Sequence, residues 1–144
     1  MRIVVQRVMN AQVEVAGEVV GKISKGLVLL VGFTRGDDLD KIKYLKEKVL
    51  HLRIFDDENG KMNLSIQDIK GEILSISQFT LYGNTKKGTR PSFIEALNGE
   101  AAEPLYDLWN EELKKEIPVA TGIFGADMKV SLTNDGPVTI LLER

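Results

Sequence analysis

Leu27-Val28-Leu29-Leu30-Val31-Gly32-Phe33 offers no polar face to water. A strand of this kind must be covered on both sides, which places it at the centre of a sheet. Working outward, Lys25-Gly26 marks the turn before it, and Glu18–Ile23 is a strand that follows an Ala16-Gly17 turn. Ile3–Val8 and Gln12–Val15 are β-branched and partly alternating, so the first third predicts a β-meander. After Phe33 the period changes. Leu39, Ile42, Leu45, Val49 and Leu52 keep the three-to-four spacing of a buried stripe, which predicts a helix over Asp37–His51. Asp37, Asp38 and Asp40 suit its N-terminus, where carboxylates cap free amides and meet the positive end of the dipole.

Further along, Arg53–Phe55 predicts a short strand, Asp56-Asp57-Glu58-Asn59-Gly60 a turn, and Glu72–Ile76 a strand leading into Ser77. A second helix is expected at about 100–115, with Leu105, Leu108, Trp109 and Leu113 as its stripe. Pro104 is tolerable there if it lies in the first turn, and Pro118 helps stop the helix. Met128–Leu132 and Val138–Leu142 predict two final strands joined by Thr133-Asn134-Asp135-Gly136-Pro137. Strands dominate and helices come as single interruptions. The expectation is one α+β domain over 1–144, with mixed or antiparallel sheets and two main helices.

The 144 residues contain no cysteine, which excludes disulfides and a thiol nucleophile, and one histidine, His51, which leaves little room for a His-based triad. The longest apolar block, Leu27–Val31, falls far short of the ~20 residues of a spanning helix. No secretory signal is evident, so a cytosolic protein away from membranes is expected. The net charge of −2 argues at first against a nucleic-acid partner. Its distribution says otherwise. Residues 73–94 carry Lys86, Lys87, Arg90 and no acid, whereas 95–116 carry seven acids against two bases. An overall charge therefore does not decide whether a local anion site exists.

Several motif assignments fail. Asp57, Asn59 and Gly60 lack the bidentate acid that a calcium loop needs at position twelve, where Ile66 stands. Gly83-Asn84-Thr85-Lys86-Lys87-Gly88 has phosphate-loop glycine spacing, but Thr89-Arg90 replaces the required Lys-Ser/Thr. His51 ends a helix, where the dipole gives it a structural role. The acids of 37–40 are accounted for by capping, and those of 95–116 by a solvated helix face.

Two segments resist such readings. Ser77-Gln78-Phe79-Thr80-Leu81-Tyr82-Gly83 follows a strand and holds two hydroxyls, an amide and aromatics before a glycine. Asn134-Asp135-Gly136-Pro137 is a strong turn signal whose plain meaning is a hairpin loop. Ser77–Leu81, the run Lys87-Gly88-x-Arg90-Pro91-Ser92-Phe93, and Asn134-Asp135-Gly136-Pro137-Val138-Thr139 occur in that order. With the opening Met1-Arg2-x-Val4-Val5-Gln6-Arg7-Val8 and Gly122-x-Phe124-Gly125-Ala126-Asp127-Met128, the whole chain resembles the bacterial D-aminoacyl-tRNA deacylases.

That resemblance implies a homodimer without metal or organic cofactor. It implies hydrolysis of the ester joining a D-amino acid, or mischarged glycine, to the terminal adenosine of tRNA. Ser77, Gln78, Phe79 and Thr80 would line the pocket. Gly136-Pro137 would be a Gly-cis-Pro element reaching into the partner subunit's pocket, Arg7 would fix that loop, and Met128 would lie near the site. Lys86, Lys87 and Arg90 would meet tRNA phosphates. The chain supplies no evident base for Thr80, so positioning is its expected role, with nucleophile the alternative. The rival function is a non-catalytic RNA-binding module using the 86–90 cations, with Phe79 or Tyr82 for stacking.

Overall fold

In the computed structural model, which describes residues 1–144, the apolar run forms β3 (Gly26–Gly32). It lies inside a sheet of order β2-β1-β3-β6-β7. Its neighbours are β1 (Arg2–Val15) and β6 (Glu72–Ser77), and β2 (Glu18–Ile23) and β7 (Val119–Thr121) lie beyond them. Leu27, Leu29 and Val31 point into a core with α1 (Leu39–His51) and α2 (Gly99–Lys114). Val28 points into a second core with Val13, Ile23, Leu74 and Ile76. Both faces of β3 are covered, as the sequence requires. Each such aliphatic side chain contributes roughly 1.5–3 kcal/mol of burial.

The sheet is mixed. β1 pairs antiparallel with β2 and β3, whereas β3–β6 and β6–β7 are parallel. Gly26 is required where β3 meets β6, because a Cβ there would stand 1.8 Å from the Glu72 carbonyl oxygen. β4 (Phe55–Asp56) and β5 (Met62–Leu64) form a separate ribbon. In its turn the Asp57 carboxylate accepts the Lys61 and Asn59 amides, which hold its pKa below the ordinary value.

Five expectations are corrected. Ile3–Val8 and Gln12–Val15 belong to one strand, β1, because β8 (Met128–Glu143) runs beside its whole length. The two predicted C-terminal strands are likewise one strand, β8. Asn134–Pro137 does not reverse the chain but bulges from it, because both flanks pair with the same neighbour. Asp38 caps α1 by accepting from the Lys41 amide, while Asp37 accepts from the Met1 amine (2.7 Å) and the Thr34 amide (2.8 Å). Pro104 lies in the second turn of α2, because the helix begins at Gly99 after the Asn98 cap. No helix is long and apolar enough to cross a membrane.

Candidate active site

The parallel strands β3, β6 and β7 run in one direction, so their carboxyl ends open on the same side. Binding crevices in open sheets form at such ends. Here a cavity of about 680 Å³ lies there, lined by residues from or just past β3 (Val31, Phe33) and β6 (Ile76 to Phe79). At the end of β6 the Gln78 amide still donates to the Val31 carbonyl (2.7 Å). The chain then tightens into a 3-10 turn, Phe79–Tyr82, and Gly83 closes it by donating to the Thr80 carbonyl (2.9 Å). No side chain caps the leading amides of this turn.

The same turn is pinned from β1. The Arg2 guanidinium donates to the Leu81 carbonyl (3.0 Å) and lies 4.5 Å over the Tyr82 ring. Burial, helped by the nearby Asp37 charge, pushes the Tyr82 phenol up to about 12, and Arg2 opposes the shift. The opposite wall is the start of α2, with Asn98, Gly99 and Ala102. Its positive dipole end faces the cavity. Phe93 and the segment Phe124–Met128 complete the lining. Phe79 is 56% exposed and meets Phe93 edge-on at 5.1 Å, so the rim presents an aromatic corner to solvent. Asp127 is the only charged side chain of the lining, and it is paired with Lys129 at 2.9 Å. The site can therefore offer apolar walls and backbone amides, but no strong base. His51 lies on α1, with Nδ1 2.9 Å from the Glu47 carbonyl oxygen.

The residues singled out from sequence fall into three places. Ser77, Gln78, Phe79 and Met128 line the cavity. Thr80 stands just outside the lining, exposed, and its hydroxyl accepts from the Gln78 side-chain amide. Lys86, Lys87 and Arg90 are exposed on the loop closed by the Asn84–Ser92 pairing, and none of them lines the cavity.

Arg7 and Gly136-Pro137 occupy a third place, together. Gln6 pairs with Thr139 and Val8 with Asn134, so Asp135–Val138 bulge out opposite Arg7 alone. Arg7 is 6% exposed. It donates to the Asp135 carbonyl (2.9 Å) and the Ile54 carbonyl (2.7 Å), and it lies 3.4 Å from the Asp56 carboxylate. Asn134 braces the bulge from within, its side-chain oxygen accepting the Val138 amide at 2.8 Å. The Gly136-Pro137 bond is cis, and Gly136 has φ +134°, where a Cβ would stand 2.8 Å from Val138. This bulge contributes nothing to the cavity lining of its own chain.

Sequence reasoning missed the far wall: Phe33, Ala96, Leu97, Asn98 and Ala102 reach the cavity only through tertiary packing. Phe124–Asp127 does carry a signal, since the segment stands among the motifs that bear the resemblance, which implies a role there for Met128 alone.

Comparison with known proteins fits this architecture. Residues 4–143 match the sequence family described as D-Tyr-tRNA(Tyr) deacylase. A protein of Clostridium botulinum (strain 657 / Type Ba4) named D-aminoacyl-tRNA deacylase is 60% identical over 144 residues, covering 99% of this chain and 97% of that protein. One of the same name from Lactobacillus gasseri is 57% identical, with 99% of each chain covered. Among solved structures, one titled c-Myc DNA Unwinding Element Binding Protein superposes with TM-score 0.95 at 42% identity, covering 100% of this chain and 99% of the other. Another, titled as a probable eukaryotic D-amino acid tRNA deacylase, gives TM-score 0.82 at 17% identity over 98% and 97%, a likeness of fold. By sequence along nearly its whole length, the chain belongs to the D-Tyr-tRNA(Tyr) deacylase family.

Proposed function

We propose that this chain hydrolyses D-aminoacyl-tRNA, releasing the D-amino acid and free tRNA. The observation that carries the proposal is full-length membership in a family named for that reaction. The site's chemistry supports it. An aminoacyl ester is already activated, and the adjacent ribose 2′-hydroxyl can help handle the proton. The protein then needs orientation and oxyanion donors more than a strong base. Ser77, Gln78 and Phe79 sit on the cavity wall, and the uncapped leading amides of the Phe79–Tyr82 turn are the natural oxyanion donors. On this reading Thr80 orients Gln78 rather than attacking the ester. No cofactor is called for, and the substrate class includes glycine mischarged on tRNA.

The Gly136-Pro137 bulge stands apart from its own cavity, which suits a homodimer in which it enters the partner subunit's pocket. Rigid backbone there would reject an L side chain whatever its type, because exchanging L for D swaps the side chain and hydrogen on the α-carbon. Lys86, Lys87 and Arg90 would meet phosphates near the tRNA end. So few cations imply a shallow salt dependence, and the working compartment is the cytoplasm, where aminoacyl-tRNA is consumed.

The test offers D- and L-tyrosyl-tRNA to the pure protein. Release of D-tyrosine with L-tyrosyl-tRNA spared is expected. Equal hydrolysis of both, or of neither, would overturn the proposal. Retention of tRNA without release of amino acid would identify an RNA-binding module instead.

A further inference from the structure

Tyr106 lies outside the cavity and is 3% exposed. Its hydroxyl donates to the Ser75 carbonyl at 2.7 Å. That carbonyl also accepts the Gly122 amide, at a longer 3.3 Å. Ser75 is fully buried and two residues before Ser77. β7 pairs with β6 only as far as Thr121 opposite Ser75, so the phenol supplies a bond where the ladder is ending. The Tyr106 ring packs on Phe124, with centroids 5.8 Å apart and planes at 43°. One turn earlier on the same helix, Ala102 forms part of the cavity wall. A single side chain therefore ties together α2, the end of β6 and the Phe124–Met128 segment. All three contribute to the cavity. Burial pushes the phenol's pKa up, so it stays protonated and remains a donor.

We infer that Tyr106 is a positioning residue for the deacylation site, holding the Ser77–Phe79 wall and the Phe124–Met128 wall at a fixed separation. This rests on the deacylase reading of the cavity. The hydroxyl fixes the first wall and the ring fixes the second. A misplaced wall costs orientation in the transition state more than ground-state binding, so the effect falls on kcat.

The experiment compares Tyr106→Phe, which loses only the hydroxyl, with Tyr106→Leu, which loses the ring contact as well. A third variant, Leu113→Ala, lowers stability from the same helix, about two turns beyond Tyr106, at a residue that does not line the cavity. Turnover of D-tyrosyl-tRNA is measured well below each variant's melting temperature. For Tyr106→Phe, kcat is expected to fall about fivefold or more while KM stays within about twofold. Tyr106→Leu should fall further, and Leu113→Ala should keep kcat within about twofold of the parent. The inference is overturned if Tyr106→Phe keeps its kcat, if its loss lies in KM, or if Leu113→Ala loses as much. Should Tyr106→Phe fail to fold, Tyr106→Leu and the control decide by the same criteria. An inactive parent protein would instead defeat the deacylase reading itself.

Discussion

The Ser77–Gly83 turn and the Asn134–Pro137 bulge are held in opposite ways. The turn grows from the carboxyl end of a buried parallel strand and is fixed mainly by neutral backbone bonds, with Arg2 leaning on it from outside. The bulge leaves an antiparallel strand and is fixed chiefly by one buried cation, Arg7, that reaches two carbonyls and the carboxylates of Asp56 and Asp135. The first is redundant, because removing any one bond leaves the strand pairing in place. The second depends on two side chains, Arg7 from the neighbouring strand and Asn134 within the loop. A catalytic surface can be spread over a strand end, whereas a loop that must project from the sheet needs a dedicated anchor.

That contrast can be broken most forcefully at Arg7. Arg7→Ala strips the buried Ile54 carbonyl and the part-buried Asp135 carbonyl of their donor, and a loss of about 3 kcal/mol in urea denaturation is expected. Discrimination between D- and L-tyrosyl-tRNA should collapse in the same variant if folded protein is assayed. A loss near zero would mean that the bulge is held by Asn134 alone. A smaller effect is expected at the turn. Thr80→Ala removes one exposed hydroxyl and frees the Gln78 amide, so stability should change by no more than about 0.5 kcal/mol. Deacylation should drop by about tenfold or less. A fall to the uncatalysed rate would make Thr80 the nucleophile. The effect that vanishes at neutral pH, and shows only in alkali, concerns the turn's outer brace. An ordinary tyrosine ionises near 10, whereas Tyr82 is held up at about 12, so only the unfolded chain gains from ionisation between those values. Stability therefore falls as pH rises from 10 to 12. Tyr82→Phe should flatten that part of the fall in a denaturation series, and an unchanged slope would place the alkaline loss elsewhere.

The unequal legibility of the two regions has a physical basis. β2, β3, β6 and both helices were readable because each owes its place to local periodicity or an apolar run. Ser77-Gln78-Phe79 was readable as a polar break at the end of such a run. The bulge was not, because Asn-Asp-Gly-Pro favours a turn in isolation and only pairing with β1 on both sides keeps the strand going. β7 was missed because Val119-Ala120-Thr121 is too short to show a period. Half the cavity wall was hidden for a related reason. Ala96 to Ala102 have no shared pattern, and their common site comes from how the start of α2 meets β3 and β6.

The long β1–β8 pairing also constrains how this chain can change in length. From Gln6 to Asn10 the first strand takes four steps, while from Thr139 to Thr133 the second takes six. The surplus is two, an even number, and it arises from two irregularities that offset one another like paired frameshifts. Leu132 and Val130 therefore face inward on one side of the bulge, and Ile140 and Leu142 on the other. A one-residue deletion within 135–138 would break that parity. Where the pairing with β1 slid to absorb it, either Ile140 and Leu142 or Leu132 and Val130 would turn out to solvent. A two-residue change would preserve the alternation and alter only the reach of the loop. Insertions and deletions in pairs are thus the mutational steps open to this segment.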